Sequence, residues 1–221
     1  MSPAADDPAV LDLLGLIACG ELFAFENLTK DSALSASLSA KAQLGAIACG
    51  EFAHFTQVRD RIVALGGDPD ELVNSYIPIL AEFHNNTAPR DLLEGLLKVY
   101  VGDGIAADFG REIAQLVDAD TKAFIDEILS GNGQGEFVVP YVQQALSEDP
   151  GAAGRLALWG RRLMGEALAQ AQRVAADRPA LAQLVIGGVG SDGAGLADFS
   201  NMLARLTERH SERMVSLGLT P

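Results

Sequence analysis

The sequence predicts an all-α fold, and three observations carry that prediction. Hydrophobic residues make up 48% of the 221 and charged residues 21%, a composition that folds around a core. Aromatic residues are only 6%, and no run alternates apolar with polar for long, which argues against a β-sandwich or barrel. Apolar residues instead recur at the helical period, between segments closed by Gly, Pro, Asp and Ser. No linker separates two cores, so residues 1–221 read as one domain.

The first helix is expected over about residues 9–29, with Leu14, Ile17, Ala18, Glu21 and Phe25 on one face. Lys30-Asp-Ser ends it. The second covers about 35–65 and stops at Gly66-Gly67-Asp-Pro69. A shorter piece follows over about 70–84. Thr87-Ala-Pro89 then opens a third long helix to about 117, with Thr87 as the capping oxygen and Pro89 early in the first turn. A fourth starts near Asp118 and runs to about Leu146, interrupted by Gly131, Gly133 and Gly135. Asp149 and Pro150 read as the cap and first residue of a fifth, to about Ala176. Asp177-Arg-Pro179 starts a short sixth, Gly187-Gly-Val-Gly-Ser-Asp-Gly193 reads as a hinge loop, and the last helix covers about 196–216.

The formal charge is −14, and this acidic excess argues against a general nucleic-acid binder. The charge is unevenly placed. Residues 1–150 hold 24 acids and 8 bases, whereas residues 151–221 hold 6 acids and 8 bases, all of them Arg. That Arg-only third is the one place for a phosphate to dock, although an ordinary structural role for the arginines ranks above it. The acidic start lacks the pattern of a signal peptide, and no stretch reaches about 18 uninterrupted apolar residues. The expectation is a cytoplasmic protein with no membrane span. Cys19 and Cys49 lie in apolar helical sequence and read as reduced, buried small hydrophobes. There is no Cys-x-x-Cys pair, no Ser-His-Asp logic, no P-loop and no Rossmann fingerprint following a strand.

One repeat stands out. Leu14-Gly-Leu-Ile-Ala-Cys-Gly-Glu21-Leu-Phe-Ala-Phe25 recurs as Leu44-Gly-Ala-Ile-Ala-Cys-Gly-Glu51-Phe-Ala-His-Phe55, thirty residues later. Two helices are expected to present this face to a common centre. The glycines at 15, 20, 45 and 50 lower helix stability, and close helix approach or space beside something bulky is the expected compensation. Glu21 lies between Ile17 and Phe25, and Glu51 between Ile47 and Phe55, so both carboxylates sit on the apolar stripe. An unpaired buried carboxylate is costly or takes a proton, and no Lys or Arg shares either face. A shared cation would neutralise both. His54, one turn after Glu51, completes a Glu-x-x-His pair. A Glu from one helix and a Glu-x-x-His from the next form half of a di-metal carboxylate site in a four-helix bundle. Carboxylates with one imidazole suit iron or manganese. The plainer alternative is two protonated or solvated glutamates beside a core histidine.

Asp103, flanked by apolar and small residues, is the third carboxylate of this set. Asp108 is offset from it by about 140° on a helical wheel and reads as solvated. A second carboxylate-x-x-His would be expected in the fourth helix, where Gly131 and Gln134 stand. Gln134 is a weak neutral ligand in the histidine position, and Gly131 offers no side chain. Glu166 and His210 also lie on apolar stripes, where they line a pocket or pair with each other, or are simply a Glu bonded to Arg and a core-edge histidine. His84 reads as a loop or capping histidine rather than a ligand.

The chain resembles the ferritin-like superfamily, and more narrowly the actinobacterial ferritin-like proteins grouped with the tRNA hydroxylase that acts on 2-methylthio-isopentenyl-adenosine. The resemblance rests on Leu14–Glu21, Glu51-Phe-Ala-His54, Phe83-His-Asn-Asn-Thr-Ala-Pro89, Tyr100–Asp108 and Gly165–Arg173. It implies a four-helix bundle over about residues 9–147, extra helices over about 150–217, a non-haem di-iron centre and dioxygen-dependent hydroxylation. Glu21, Glu51, His54 and Asp103 carry over as ligands. The family pattern has Asp and His where Gly131 and Gln134 stand, which leaves the second iron's shell short. The resemblance also brings in tRNA, an external electron donor and self-association as expectations. A non-catalytic scaffold with one metal or none is the competing class. Iron oxidation and storage ranks below both, because storage cages use shorter subunits.

Overall fold

The computed structural model describes residues 7–131, 133–187 and 194–221. It is 83% helical, with no strand among the described residues, and forms an all-α ferritin-like bundle with extra C-terminal helices. Two long helices come first. Helix α1 spans Pro8–Ser32 and starts where Asp7 accepts from the Ala9 amide at 2.9 Å. Helix α2 spans Leu38–Ala64, capped by Ser37. Only residues 33–37 join them, which returns α2 antiparallel along α1.

The expected piece over 70–84 is two helices, α3 Pro69–Asn74 and α4 Ile77–Asn86. Proline explains the break. A helix running through Pro78 would drive its ring into the carbonyl of Asn74, which is where α3 ends. Leu72 of α3 packs on Gly15, where an added Cβ would stand 2.9 Å from the leucine Cβ. Gly15 therefore serves a close approach. Gly20 and Gly45 do not, since nothing lies within 4 Å of a Cβ at either.

The third long rod begins later than expected. Asp91, not Thr87, is its cap, accepting from the Glu94 amide at 2.9 Å. Thr87 is fully buried and donates back to the Phe83 carbonyl. The rod runs through α5 Leu92–Leu97, a π-helical turn Lys98–Asp103 and α6 Gly104–Ala114. Helices α7 Ala119–Ile128 and α8 Gln134–Glu148 replace the fourth expected helix. They part at Gly131 and Gly133, whose φ of 91° and 72° lie in the left-handed region that glycine tolerates.

Three further helices follow: α9 Ala152–Asp177, α10 Pro179–Gly187 and α11 Ala194–Ser216. Asp149 accepts from the Gly151 amide rather than capping α9 directly, so α9 starts two residues later than expected. The expected hinge lies, from residue 188 to 193, outside the described residues. Trp159 of α9 donates its indole N–H to the Glu94 carbonyl at 3.0 Å, and Arg178 clasps Asp12 and Tyr76. Buried polar contacts thus fasten the added helices to the bundle.

The core is in two parts. One apolar cluster takes Leu14, Ile17 and Cys19 from α1, Val58 and Ile62 from α2, and Ile125 and Ile128 from α7. The other takes Leu28 from α1, Leu44 and Ile47 from α2, and Val138 and Val142 from α8. Between them α1 carries Glu21, α2 carries Glu51 and His54, and α8 carries Gln134. A polar waist divides the core.

Two expectations need correcting. Cys19 is buried, with its thiol pushed up to about 12, but Cys49 is exposed, because among the described residues no helix packs over the α2 face that holds it. Asp108 is buried and not solvated, for reasons given below. Helix α1 is long and apolar enough to cross a membrane by length and composition, with mean hydropathy 1.8 over its best window, of which 56% is buried inside the fold. Asp12 and Glu21 interrupt its apolar run, and the buried core helix of a bundle passes this test of length and composition as readily as a membrane span does.

Candidate metal centre

The repeat does what its symmetry suggests: α1 and α2 bring Glu21 and Glu51 together with His54. One ligand atom from each lies within 4.8 Å of the others. Both glutamates are buried and His54 is half-buried. His54 Nδ1 stands 3.3 Å from Glu21 Oε2, yet that oxygen has no hydrogen bond of acceptable geometry. Glu21 and Glu51 share a hydrogen bond, which requires a proton on one of them. Burial pushes the Glu21 carboxyl up to about 7, the Glu51 hydrogen bond draws it back, and the charge of Asp103 raises it further.

Asp103 closes the π-helical turn beneath this group. Its Oδ2 is shielded from solvent and has no hydrogen-bond partner. Burial holds its carboxyl well above the usual range, Glu51 adds to that, and Lys98 pulls it back. Asp103 is within the field of both glutamates but outside the group whose atoms lie within 4.8 Å. Gln134, at the first turn of α8, reaches the centre as a donor. Its Nε2 gives a hydrogen bond to Glu51 Oε1 at 2.6 Å. A Cβ added at Gly131 would have nothing within 4 Å of it, and the residue contributes no group.

The other polar residues disperse. Glu166 accepts from Asn86 at 3.1 Å, a carboxamide in place of the expected arginine. His210 is buried in α11 with neither ring nitrogen hydrogen-bonded, and burial, then Arg213, pushes its pKa down. Glu166 and His210 make no hydrogen bond to each other. His84 belongs to the last turn of α4 rather than a loop. Its ring stacks on Phe23 at 5.0 Å, and burial pushes it down to about 3. Asp108 faces away from the centre, where Arg111, Arg209 and Arg213 surround it.

Two buried charges escape the reading of the sequence. Lys98 is 3% exposed, and its Nζ has no hydrogen-bond partner. Asp31, in the last turn of α1, is also buried with an unpartnered Oδ2. A signal for Lys98 exists, because it interrupts the apolar run from Leu96 to Val101.

Glu21, Glu51 and His54 fit one cation. An orphaned buried carboxylate oxygen is present, no arginine or lysine pairs with Glu21, and the donor set suits iron or manganese. A second ion does not fit. Of the residues expected to hold it, Asp103 alone is a carboxylate, Gly131 is bare, and the Gln134 amide turns an N–H toward Glu51. No curated protein matches the chain. A family model described as Ferritin-like domain, actinomycetes, matches residues 4–188, which takes in every helix of the waist and leaves α11 beyond it. With most of its length matched and the buried carboxylates inside the match, the chain belongs to this ferritin-like domain family of actinomycetes.

Proposed function

We propose that the chain is a non-haem iron protein, with iron held by Glu21, Glu51 and His54, and that it acts as a dioxygen-dependent hydroxylase. The observation that supports this is the cluster itself: two buried carboxylates and an imidazole within 4.8 Å, with a buried oxygen that nothing in the chain satisfies. Iron, when bound, supplies the redox chemistry that activates dioxygen. The chain's residues do the rest. The two apolar clusters exclude water above and below the waist, and Gln134 fixes the orientation of Glu51 through its amide. Manganese is the alternative ion for the same donors.

The substrate class that the resemblance supplies is tRNA. Six of the eight C-terminal arginines, Arg155, Arg173, Arg178, Arg205, Arg209 and Arg213, are ion-paired within the chain. Arg161 donates to the carbonyls of Thr220 and Pro221, and Arg162 lies over the Trp159 ring. Within this proposal, phosphate contacts fall to Arg162 and Arg161. An external electron donor and a cytoplasmic setting go with it.

A second reading, a non-catalytic scaffold that keeps one metal or none, is favoured by the Gln134–Glu51 hydrogen bond and the bare Gly131. One experiment separates them. Metal-free protein is loaded anaerobically with ferrous iron, desalted and exposed to air. Retained iron with dioxygen uptake above that of Glu51→Gln supports the hydroxylase. Retained iron without uptake supports the scaffold, and no retained iron overturns the hydroxylase and leaves the metal-free scaffold.

A further inference from the structure

We propose that the outward face of α2 seats a second copy of this chain, packed antiparallel across a two-fold axis beside Cys49 and Gly50. The pairing does not depend on the metal reading. Helix α2 turns Leu44, Ile47, Glu51, Val58 and Ile62 inward. At about 100° per residue, Leu38, Ala42, Cys49, Phe52, Ala53 and Val63 fall on the opposite side, and all six are exposed. Leu38 is 82% exposed, Val63 58% and Phe52 45%, so large apolar side chains stand along the whole face. An exposed apolar strip of this kind marks a contact.

Charge selects the occupant. The chain carries −14, and residues 1–150 hold 24 acids against 8 bases, so two copies repel over most of that surface. On α2 the balance differs. Between Lys41 and Arg59 the ionisable side chains are Cys49, Glu51 and His54, and Glu51 and His54 turn to the waist. The middle of the face is therefore uncharged. Its ends are complementary, with Lys41 near the start and Asp60 near the end, the Asp60 side chain 65% exposed beyond Arg59. A two-fold, antiparallel copy brings each Lys41 within reach of the other copy's Asp60. An anionic lipid surface, by contrast, repels a chain of this net charge.

The repeat shows how the two faces fit. Gly15 of α1 seats Leu72, whereas its counterpart thirty residues on, Gly45, has nothing within 4 Å of an added Cβ. This open notch lies on the outward face, one turn before Cys49. In the antiparallel pair, Phe52 of each copy lands between Gly45 and Cys49 of the other, so knob and notch belong to the same face. About 40 Å of helix against its copy is a contact at the small end of specific interfaces, so the pair should dissociate on dilution.

Sedimentation velocity of the full chain, in reductant and over a rising concentration series, tests this. Wild type is expected to shift from the mass of one chain to that of two. Ala46→Glu, a change at an exposed residue one turn before Cys49, should stay monomeric, because it sets a charge on each of the facing surfaces. Adding Ala53→Arg to it should restore the dimer, since residue 53 of one copy faces residue 46 of the other in this register. Circular dichroism checks that both variants fold. Cys49 gives a second reading. Oxidised with diamide, wild type should form a disulfide-linked dimer, and Cys49→Ser should not, because Cys19 is buried. Monomer at every concentration, a dimer that Ala46→Glu leaves intact, or no rescue by Ala53→Arg overturns the pairing. So does cross-linking of Ala46→Glu as fast as wild type. Monomer that floats with phosphatidylglycerol vesicles would make the face a lipid contact and overturn it too. If neither variant folds, the wild-type series and the Cys49 cross-link decide alone.

Discussion

Two sets of buried carboxylates in this chain have opposite surroundings. At the seam between α6 and α11, Asp108 takes Arg111 at 3.1 Å and Arg213, and Glu112 takes Arg205 and Arg209 at 2.6 and 2.7 Å. Gly104 makes room for this, because a Cβ there would stand 2.5 Å from Arg213 Nε. The arginines hold the Glu112 carboxyl below its usual range. At the waist, burial holds Glu21 and Asp103 above theirs, and neither has an arginine. An acid buried with its guanidinium is finished structure. An acid buried without one awaits a proton or a cation. The family match includes the waist and stops short of α11, so the finished seam is built with a helix from outside it.

The largest expected effect lies at the seam. Asp108→Asn leaves the Arg213 guanidinium, 16% exposed, without its anion, and should cost on the order of 4 kcal/mol. Urea unfolding of metal-free protein in the presence of a chelator measures it. A loss under a quarter of that would mean the seam is as loosely held as the waist, and the contrast fails.

The waist should respond with the other sign. Glu21 titrates near 7 in the fold and near 4.5 when unfolded, so the native state binds more protons between those values. Stability from this group is fully present below pH 4.5 and is lost as pH rises through 7, amounting to about 3 kcal/mol by pH 8. His84 works against it. With its pKa pushed down to about 3, it withdraws stability as pH falls below 6.5. The difference between wild type and Glu21→Gln removes the histidine contribution. That variant, without metal, should gain stability over wild type from pH 5 to pH 8. A difference that stays flat across this range would show that Glu21 is solvated.

How much of this contrast is legible in the sequence depends on how local its causes are. Glu21, Glu51 and His54 are legible because a carboxylate on an apolar stripe is a signal carried by four or five neighbouring residues. The position of Gln134 is legible, but its role is not, since that depends on which amide atom meets Glu51 across the bundle. Asp108 reads as solvated because two of its three arginines, Arg209 and Arg213, come about a hundred residues later, on α11. Lys98 escapes notice because a lone lysine in an apolar run is ordinarily read as reaching solvent along its stem, and hydrophobic periodicity does not announce a π turn. The all-α fold and most boundaries follow from caps and breakers, with Asp91 displacing Thr87 as the one cap assigned to the wrong residue on the third rod.

Metal should erase the waist's deficit and leave the seam untouched. Ferrous iron or manganese at a hundredfold its dissociation constant should stabilise the fold by about 2.7 kcal/mol through binding alone. The gain should shrink as pH falls through 7, where the ion must displace the proton on Glu21. Thermal unfolding under argon, with and without metal, reads this. Glu51→Gln should abolish the shift and Arg205→Ala should keep it. An equal shift in Glu51→Gln would place the ion somewhere other than the waist.

The smallest effect tests whether the seam's strength lies in burial or in the count of its arginines. Arg205 is 48% exposed at its side chain, and Glu112 keeps Arg209 when Arg205 is removed. An exposed partner contributes little, because water screens it and a long side chain loses entropy in pairing. Arg205→Ala should therefore cost less than about 1 kcal/mol. The same change made on top of Arg209→Ala should cost more, since Glu112, 10% exposed, then has neither of these arginines. A double-mutant cycle in urea measures the difference. Strictly additive losses would mean that each arginine binds Glu112 independently, and that the seam is a set of surface pairs rather than one buried network.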